Sequence, residues 1–397
     1  MKAPTPRHLR KYVAGCLRLK WYLQAPGDGR VQPRIPASVL LWALLIGQIL
    51  RECSFAAVEA LVCSSARAAL RVSRTFGDDT LSYFVERTDP NVTRTASVAA
   101  IRRAKRNKAF DNSRFIGFAL DGTRSGGCKK KICPLCRPTK NKKDEIIGYH
   151  HSLVMISVVG TGLSLPFDVE PYGPGDSEYA AGQRLLRRAV ANFGPRFAGY
   201  VVVDAKFATA PFLKVAGKLE TPVVARLNDN LPELFAAAQK RFGSQPPHAV
   251  FRHGQDRVEI WDADDFDPWD TLDWETVRVV RYRQHKPDGT VVEAYWLTNF
   301  SRHRVGSREI FRIAKSRWEI ENQGFNDAKN RHQMEHVCHH EPNSLVVVWL
   351  IMALALTIER LYRLRYLHRG NHPVLTAIAF VRLLRLSLCA VAYIDSS

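Results

Sequence analysis

Phe115-Ile-Gly-Phe-Ala-Leu-Asp-Gly122 is the stretch on which the fold turns. An apolar run without a polar face reads as a strand covered on both sides, and here it runs straight into an acid. A carboxylate in that position is costly unless a cation meets it. A divalent metal is the simplest such partner, because hard cations take carboxylate oxygens. The plain alternative is an aspartate that caps a turn completed by Gly122. A second copy of the pattern weighs against that alternative: Tyr200-Val-Val-Val-Asp-Ala-Lys206 is another buried-type run ending in an acid, Asp204. A third acid, Glu321, stands in Arg317-Trp-Glu-Ile-Glu321 at the start of a helical segment. Two strand-end aspartates and a helical glutamate supply what a two-metal phosphoryl-transfer site needs. Carboxylates from separate elements must meet at ions roughly 3.5–4 Å apart.

The segments between these acids fix the order of elements. Ser152–Val159 and Leu163–Val169 bracket Gly160-Thr-Gly162 as a hairpin. Glu178–Phe193 is an amphipathic helix, a short helix lies near Pro211–Ala216, and Pro222–Leu227 is again a strand. The order β(Asp) β β α β(Asp) α β implies an α/β fold, a mixed sheet flanked by helices. Residues 228–300 add a β-rich insertion, with a hairpin turning at Lys286-Pro-Asp-Gly289. Within it, Asp262–Glu275 carries seven carboxylates, to be read as solvent-facing or as a clamp on basic protein surface.

Charge points to the partner. The 397 residues carry a formal charge of +20, which suits a polyanion, and nucleic acid above all. Residues 1–110 look helical and hold 19 Lys and Arg against 7 Asp and Glu. Arg102, Arg103 and Arg106 crowd the end of that region and are candidate contacts to DNA phosphates. Two apolar runs, Ile35–Leu50 and Leu345–Ile358, fall short of the roughly 18–20 residues of a membrane span and read as buried helices, so no membrane partner is expected. Met1–Lys20 is basic without a continuous apolar core, so a cytoplasmic location is expected. Cys16, Cys53, Cys63 and Cys389 stand alone and read as reduced core residues.

The remaining cysteines are clustered. In Cys128-Lys-Lys-Lys-Ile-Cys-Pro-Leu-Cys136 the two-residue spacing of Cys133 and Cys136 lets both thiolates grip one zinc. Cys128 offers a third ligand and His150 a fourth, with His151 the open alternative to His150; such a closed set is structural. His336, Cys338, His339 and His340 read instead as a loop before a helix begun near Asn343, with Pro342 marking the break.

This combination resembles the DDE-type transposases of bacterial insertion sequences, over roughly residues 75–360. Arg317-Trp-Glu-Ile-Glu321 is similar to their tyrosine-arginine-glutamate-lysine signature, with the arginine one helical turn before the glutamate. Leu120-Asp-Gly-Thr123, Val202-Val-Asp204, the Cys133-Pro-Leu-Cys136 insert and Tyr149-His150 resemble a subgroup of that family. The resemblance implies an RNase H-like catalytic domain over 111–341, with a zinc-binding insert at 125–150 and a β-strand insertion at 228–300. Around it lie a basic helical DNA-binding region, 1–110, and a C-terminal helical region, 342–397. It further implies two Mg²⁺ or Mn²⁺ ions on Asp121, Asp204 and Glu321, with Arg317 and Lys329 on phosphates. The implied activity is cut-and-paste transposition of double-stranded DNA, transposon ends joined to target, by a homodimer at the nucleoid. Trp261, Trp269, Trp274 and Trp296 are the candidates to stack on a flipped base, Trp296 reading rather as core. Two signature places depart from the pattern. Ala314 stands where the tyrosine falls, and Lys329 is one residue late for the lysine, roughly 80° round an ideal helix unless a local bulge restores it. A structure-selective nuclease on the same fold, or a non-catalytic DNA-binding descendant, are the alternative readings.

Overall fold

The apolar half of the first acidic stretch forms a strand because every residue from Gly117 to Leu120 is covered, on both faces. In a computed structural model, which describes residues 4–111, 113, 115–368, 373 and 376–394 and side chains as far as Leu388, this strand is β1 (Gly117–Cys128). It is followed by β2 (Arg137–Lys140), β3 (Ile146–Val159), β4 (Leu165–Pro171), β5 (Val201–Val203) and β6 (Val223–Leu227). The insertion contributes β7 (Ala249–His253), β8 (Asp256–Phe266), β9 (Val277–His285) and β10 (Val291–Thr298). All ten join one sheet in the order β2-β3-β1-β5-β6-β10-β9-β8-β7, with β4 also paired to β3. β1, β5 and β6 run parallel, and the other pairings are antiparallel. The run β4-β3-β1-β5-β6 is the RNase H-like arrangement that the element order implied, and β10 extends it into the insertion.

Strand alternation gives the sheet two apolar faces. Phe118, Leu120, Ile156, Val201 and Val203 belong to one cluster, shared with helix Glu178–Phe193, the N-terminal helices and helix Pro342–Tyr366. Ala119, Met155, Val202, Val224 and Trp296 belong to the other, under helix Ser307–Glu319. Helix Ala37–Leu50 is buried along the whole of Leu40–Leu50, as an all-round apolar helix must be. Helix Pro342–Tyr366 corrects one expectation: its 25 residues outrun the apolar stretch seen in the sequence and are long enough to cross a bilayer. Its most apolar window is nevertheless 94% buried inside the fold, against β4 and the helices before β1.

The acidic segment does both things expected of it: Asp265, Asp267, Asp270, Asp273 and Glu275 are exposed to solvent, and some of its carboxylates clamp basic side chains. Asp262 is buried and receives Arg278 at 2.9 and 2.6 Å, and Asp265 and Asp273 pair with Arg241 and Lys214. Among the four isolated cysteines, Cys53 is buried, Cys16 half-buried and Cys63 exposed, so Cys63 is not a core residue; the side chain of Cys389 lies outside the described residues.

Candidate active site

Register puts the two aspartates together. Leu120 pairs with Val203 across the parallel β1–β5 ladder, so Asp121 and Asp204 stand one step on, at the same level of neighbouring strands. Each lies two residues past a member of the cluster under helix Ser307–Glu319, Ala119 and Val202, and therefore faces that helix. The helix answers with Arg317, whose Nη1 donates to Glu321 Oε1 at 2.6 Å and reaches Asp121 Oδ2 at 3.5 Å. Asp121 on β1 and Glu321 on the helix are thus bridged by one guanidinium, and Asp204, at the end of β5, stands beside Asp121 on the same side of the sheet.

The electrostatics of the site favour a further cation. Burial pushes the Asp121 carboxyl up to about 7; Arg317 and the Gly122 N–H oppose the shift, while Glu321 and Asp204 add to it. Turn capping does not account for both aspartates. Asp121 Oδ1 accepts from Gly122 N at 2.8 Å, but Asp204 makes no side-chain cap bond to the turn that follows it. An all-oxygen donor set with surplus negative charge matches a hard divalent ion.

The helix carrying Glu321 is not a plain α-helix. Ser307–Glu319 is α-helical, Ile320–Phe325 is a π-turn, and Asn326–His332 is α-helical again. A π-turn takes up one extra residue, so the eight positions from Glu321 to Lys329 rotate about as far as seven α-helical ones. This is the bulge that returns Lys329 toward the face of Glu321; its Nζ lies 3.4 Å from Glu335 Oε1. Glu319 sits elsewhere, accepting from Gly160 N at 2.9 Å and Gly162 N at 3.2 Å. Ala314 is fully buried beneath the helix, and the phenol that approaches the site comes instead from Tyr282 on β9.

A family model for the transposase DDE domain matches residues 113–358. The chain belongs to this transposase family. A solved structure titled as the piggyBac transposase synaptic complex with hairpin DNA is similar over 99% of this chain and 81% of that one, at 12% identity and a TM-score of 0.47. No curated protein matches the chain.

The other expected site residues of this transposase fall differently. Arg102, Arg103 and Arg106 lie on helix Pro90–Arg106. Arg102 donates to Asn192 O at 2.6 Å and Arg103 to Cys16 O at 3.3 Å, while Arg106 is exposed. Trp261 and Trp296 are buried, and Trp269 and Trp274 are half-buried against the core.

The Cys/His cluster corrects the zinc ligand set. Ligand atoms of Cys133, Cys136, His151 and His340 lie within 4.8 Å of one another. His150 does not face the thiols: neighbours on β3 point to opposite faces, and its Nδ1 meets Thr139 Oγ1 at 2.8 Å. Cys128 lies beyond a bulge in β1 and donates to Lys130 O at 3.1 Å; it falls outside the four-donor group, although its thiol stands beside that of Cys136. His340 joins the cluster because the loop after the Glu321 helix returns to the end of β1, where Ser125 Oγ donates to Met334 O at 2.6 Å. The sequence signal for His340 was its place among four close His and Cys residues, but nothing local tied it to a strand 189 positions earlier.

Proposed function

We propose that this transposase cuts and joins DNA at Asp121, Asp204 and Glu321, in a cut-and-paste reaction that excises a bacterial insertion sequence and inserts it into a target. What supports this reading is that Asp121 and Asp204 stand at one level of neighbouring strands, under a helix whose Arg317 bridges Asp121 and Glu321. Two Mg²⁺ or Mn²⁺ ions held there would activate water for nicking and stabilise the attacking and leaving oxygens of the in-line displacement. Arg317 holds Glu321 and Asp121 in mutual register and presents its remaining N–H groups to a phosphate; its Nε is buried without a partner. Lys329, returned by the π-turn, grips a neighbouring phosphate. Arg106, with Arg102 and Arg103 beside it, extends the contact along the duplex. The reaction needs two ends held together, which a homodimer working at the nucleoid provides. The test is strand transfer in vitro between DNA carrying the element's terminal repeats and a supercoiled target. Joined product that disappears in Asp121→Asn supports the assignment, and product that persists refutes it.

Zinc is the second cofactor of this reading, held by Cys133, Cys136, His151 and His340. Their geometry fits it. Tetrahedral zinc with Zn–S near 2.3 Å and Zn–N near 2.0–2.1 Å separates two sulfurs by about 3.8 Å and sulfur from nitrogen by about 3.6 Å. The two thiols here are 3.6 Å apart, and His151 Nε2 lies 3.1 and 3.6 Å from them. The Nδ1 atoms of His151 and His340 are both buried without a partner. Purified protein should carry one zinc per chain, lost in Cys136→Ser and His340→Ala and kept in Cys128→Ser. Loss in Cys128→Ser with retention in His340→Ala would restore the ligand set read from the sequence.

A further inference from the structure

Strand β1 does not stop at Asp121. It pairs on with β3 through Thr123 and Leu153, Arg124 and Ser152, and Ser125 and His151, and after one bulged residue Cys128 meets Tyr149. These residues carry the chain about 20 Å past Asp121, beyond the end of the sheet at which Asp204 also stands. There it forms two loops, 129–136 and 141–145, on either side of the edge strand β2. The base of this arm is held firmly. A Cβ at Gly126 would meet Val337 Cγ2 at 2.4 Å, so the extended strand packs against the loop after the Glu321 helix. Cys133 and Cys136 are buried beneath the first loop.

The arm carries charge of one sign. From Gly122 to Lys143 the chain holds eight Lys and Arg and no Asp or Glu. Two of the eight are matched within the fold. Arg137 turns inward and donates to Gly173 O and Asp176 O at 2.9 and 3.0 Å, and Lys140 pairs with Asp144 at 2.9 Å. Lys129, Lys130, Lys131, Lys142 and Lys143 are exposed and form no ion pair among the described residues. Five uncompensated ammonium groups on one small projection repel one another, and a polyanion relieves that repulsion. Ile132, Ile146 and Ile147 are exposed beside them, a mixture that also suits an anionic membrane surface. The position of the arm, past the end of the sheet where Asp121 and Asp204 stand, favours DNA instead.

We propose that residues 124–143 form an arm that holds the backbone of the duplex flanking the cut, by charge and not by sequence. This rests on Asp121, Asp204 and Glu321 being the site of cutting and deepens that assignment. A reach of about 20 Å corresponds to roughly six base pairs of B-DNA, so the arm meets phosphates about that far from the bond that is cut. Because the strand beneath the loops is already fixed, little conformational freedom is lost when DNA arrives. The bland counterpart is a lysine-rich loop that only keeps the surface solvated, and the experiment has to separate the two.

Binding of end DNA is measured across salt concentrations, with hydroxyl-radical footprints, for three full-length proteins. They are wild type, a variant combining Lys129→Gln, Lys130→Gln and Lys131→Gln, and a variant combining Arg196→Gln with Lys218→Gln. Arg196 and Lys218 are also exposed, but they precede β5 and β6 and so lie at the opposite end of the sheet. Between about 50 and 200 mM salt, wild type should lose affinity roughly ten- to fortyfold more than the triple variant, the effect of two to three phosphate contacts. In the triple variant, protection should vanish about five to seven base pairs from the cut and remain elsewhere. The Arg196 and Lys218 variant should keep the wild-type footprint, and all three proteins should melt at the same temperature. An unchanged salt dependence in the triple variant, or protection lost evenly along the DNA, overturns the proposal. So does a triple variant that keeps the footprint but no longer binds phosphatidylserine vesicles that wild type binds, which assigns the arm to a membrane. Asp121→Asn is footprinted and assayed alongside: cleavage by that variant would remove the catalytic assignment and leave the footprint of the arm standing, a separate failure.

Discussion

In the proposed function Asp121 is a metal-holding carboxylate, and its burial makes the consequence of changing it sharp. Asp121→Asn keeps the shape and removes a charge on which the proposed metal ions would depend. Metal stabilisation of the transition state amounts to several kcal/mol, so cleavage should fall by about a thousandfold or more. Binding of end DNA, measured by mobility shift, should stay within about threefold, because phosphate contacts elsewhere carry the affinity. Lys315, one turn from Glu319 on the same helix, gives the pH prediction. Its Nζ lies 4.2 Å from the Trp318 ring, and burial lowers its pKa from 10.5 to about 8, with Lys286 adding and Asp256 opposing. Between pH 8 and 10.5 the unfolded chain therefore holds a proton the folded one has shed, and stability rises with pH across that window. Below about pH 8 the cost of the buried ammonium is fully present. Lys315→Met should raise the melting temperature at pH 7 by about 2–4 °C per kcal/mol relieved, and the difference should shrink as pH approaches 10.5. A gain independent of pH would mean that packing, not charge, governs the site.

At the scale of elements, the π-turn is what makes the Glu321 helix work, and it is held from outside. Glu319 closes on Gly160 N and Gly162 N, at a hairpin whose glycines adopt φ of 88° and 76°. Gln323 accepts from Ser164 N at 3.1 Å and donates to Gly162 O at 2.9 Å. Arg360, fully buried, donates to the carbonyls of Ser164 and Gln323 together and to Asp327 at 2.9 Å. The β3–β4 turn therefore clasps the π-turn from both ends. Glu319→Ala leaves the part-buried Gly160 N–H unpaired, at about 1–3 kcal/mol, while water can meet the exposed Gly162 N–H, and it should lower the denaturation midpoint accordingly. Glu319→Gln keeps one acceptor and should fall between. Cleavage should drop with the Ala variant, since Glu321 loses its fixed azimuth; full activity at lowered stability would detach the clasp from the chemistry. Much of this level was legible in the sequence. Apolar runs ending in Asp121 and Asp204 announce strands whatever their neighbours, and the one-residue excess before Lys329 asked for a bulge. What the sequence withheld was phase and distance. Alternation along β3 admits His150 or His151 but not both, and only the register of β1 and β2 against it decides. His340 is joined to its site by a chain reversal that leaves no local trace.

At the scale of the whole molecule, helix Pro342–Tyr366 joins what the sequence lays out as separate regions. Thr357 Oγ1 donates to Pro166 O at 2.6 Å on β4, while Asn343 Nδ2 caps the carbonyls of Val85, Glu86 and Thr88 before the helix that carries Arg106. Arg51, at the end of helix Ala37–Leu50, reaches Glu359 at 2.5 Å on the same post. One apolar cluster consequently runs from Leu9 through Leu120 to Leu388. A helix that an 18-residue window would hand to a membrane is instead the shared wall between the basic N-terminal helices and the catalytic sheet. A fragment of residues 111–341 keeps helix Glu178–Phe193 on that sheet face but loses the wall, and so exposes the apolar side of β4, Leu165 and Phe167 among it. It is expected to aggregate, or to show no cooperative thermal transition by circular dichroism, although it holds all three acids. The intact chain should unfold in a single transition that moves both halves together. Two separated transitions there, or a soluble folded fragment that still binds divalent ions, would show that the sheet stands without its post. The basic N-terminal helices would then have to communicate with the acids through bound DNA alone.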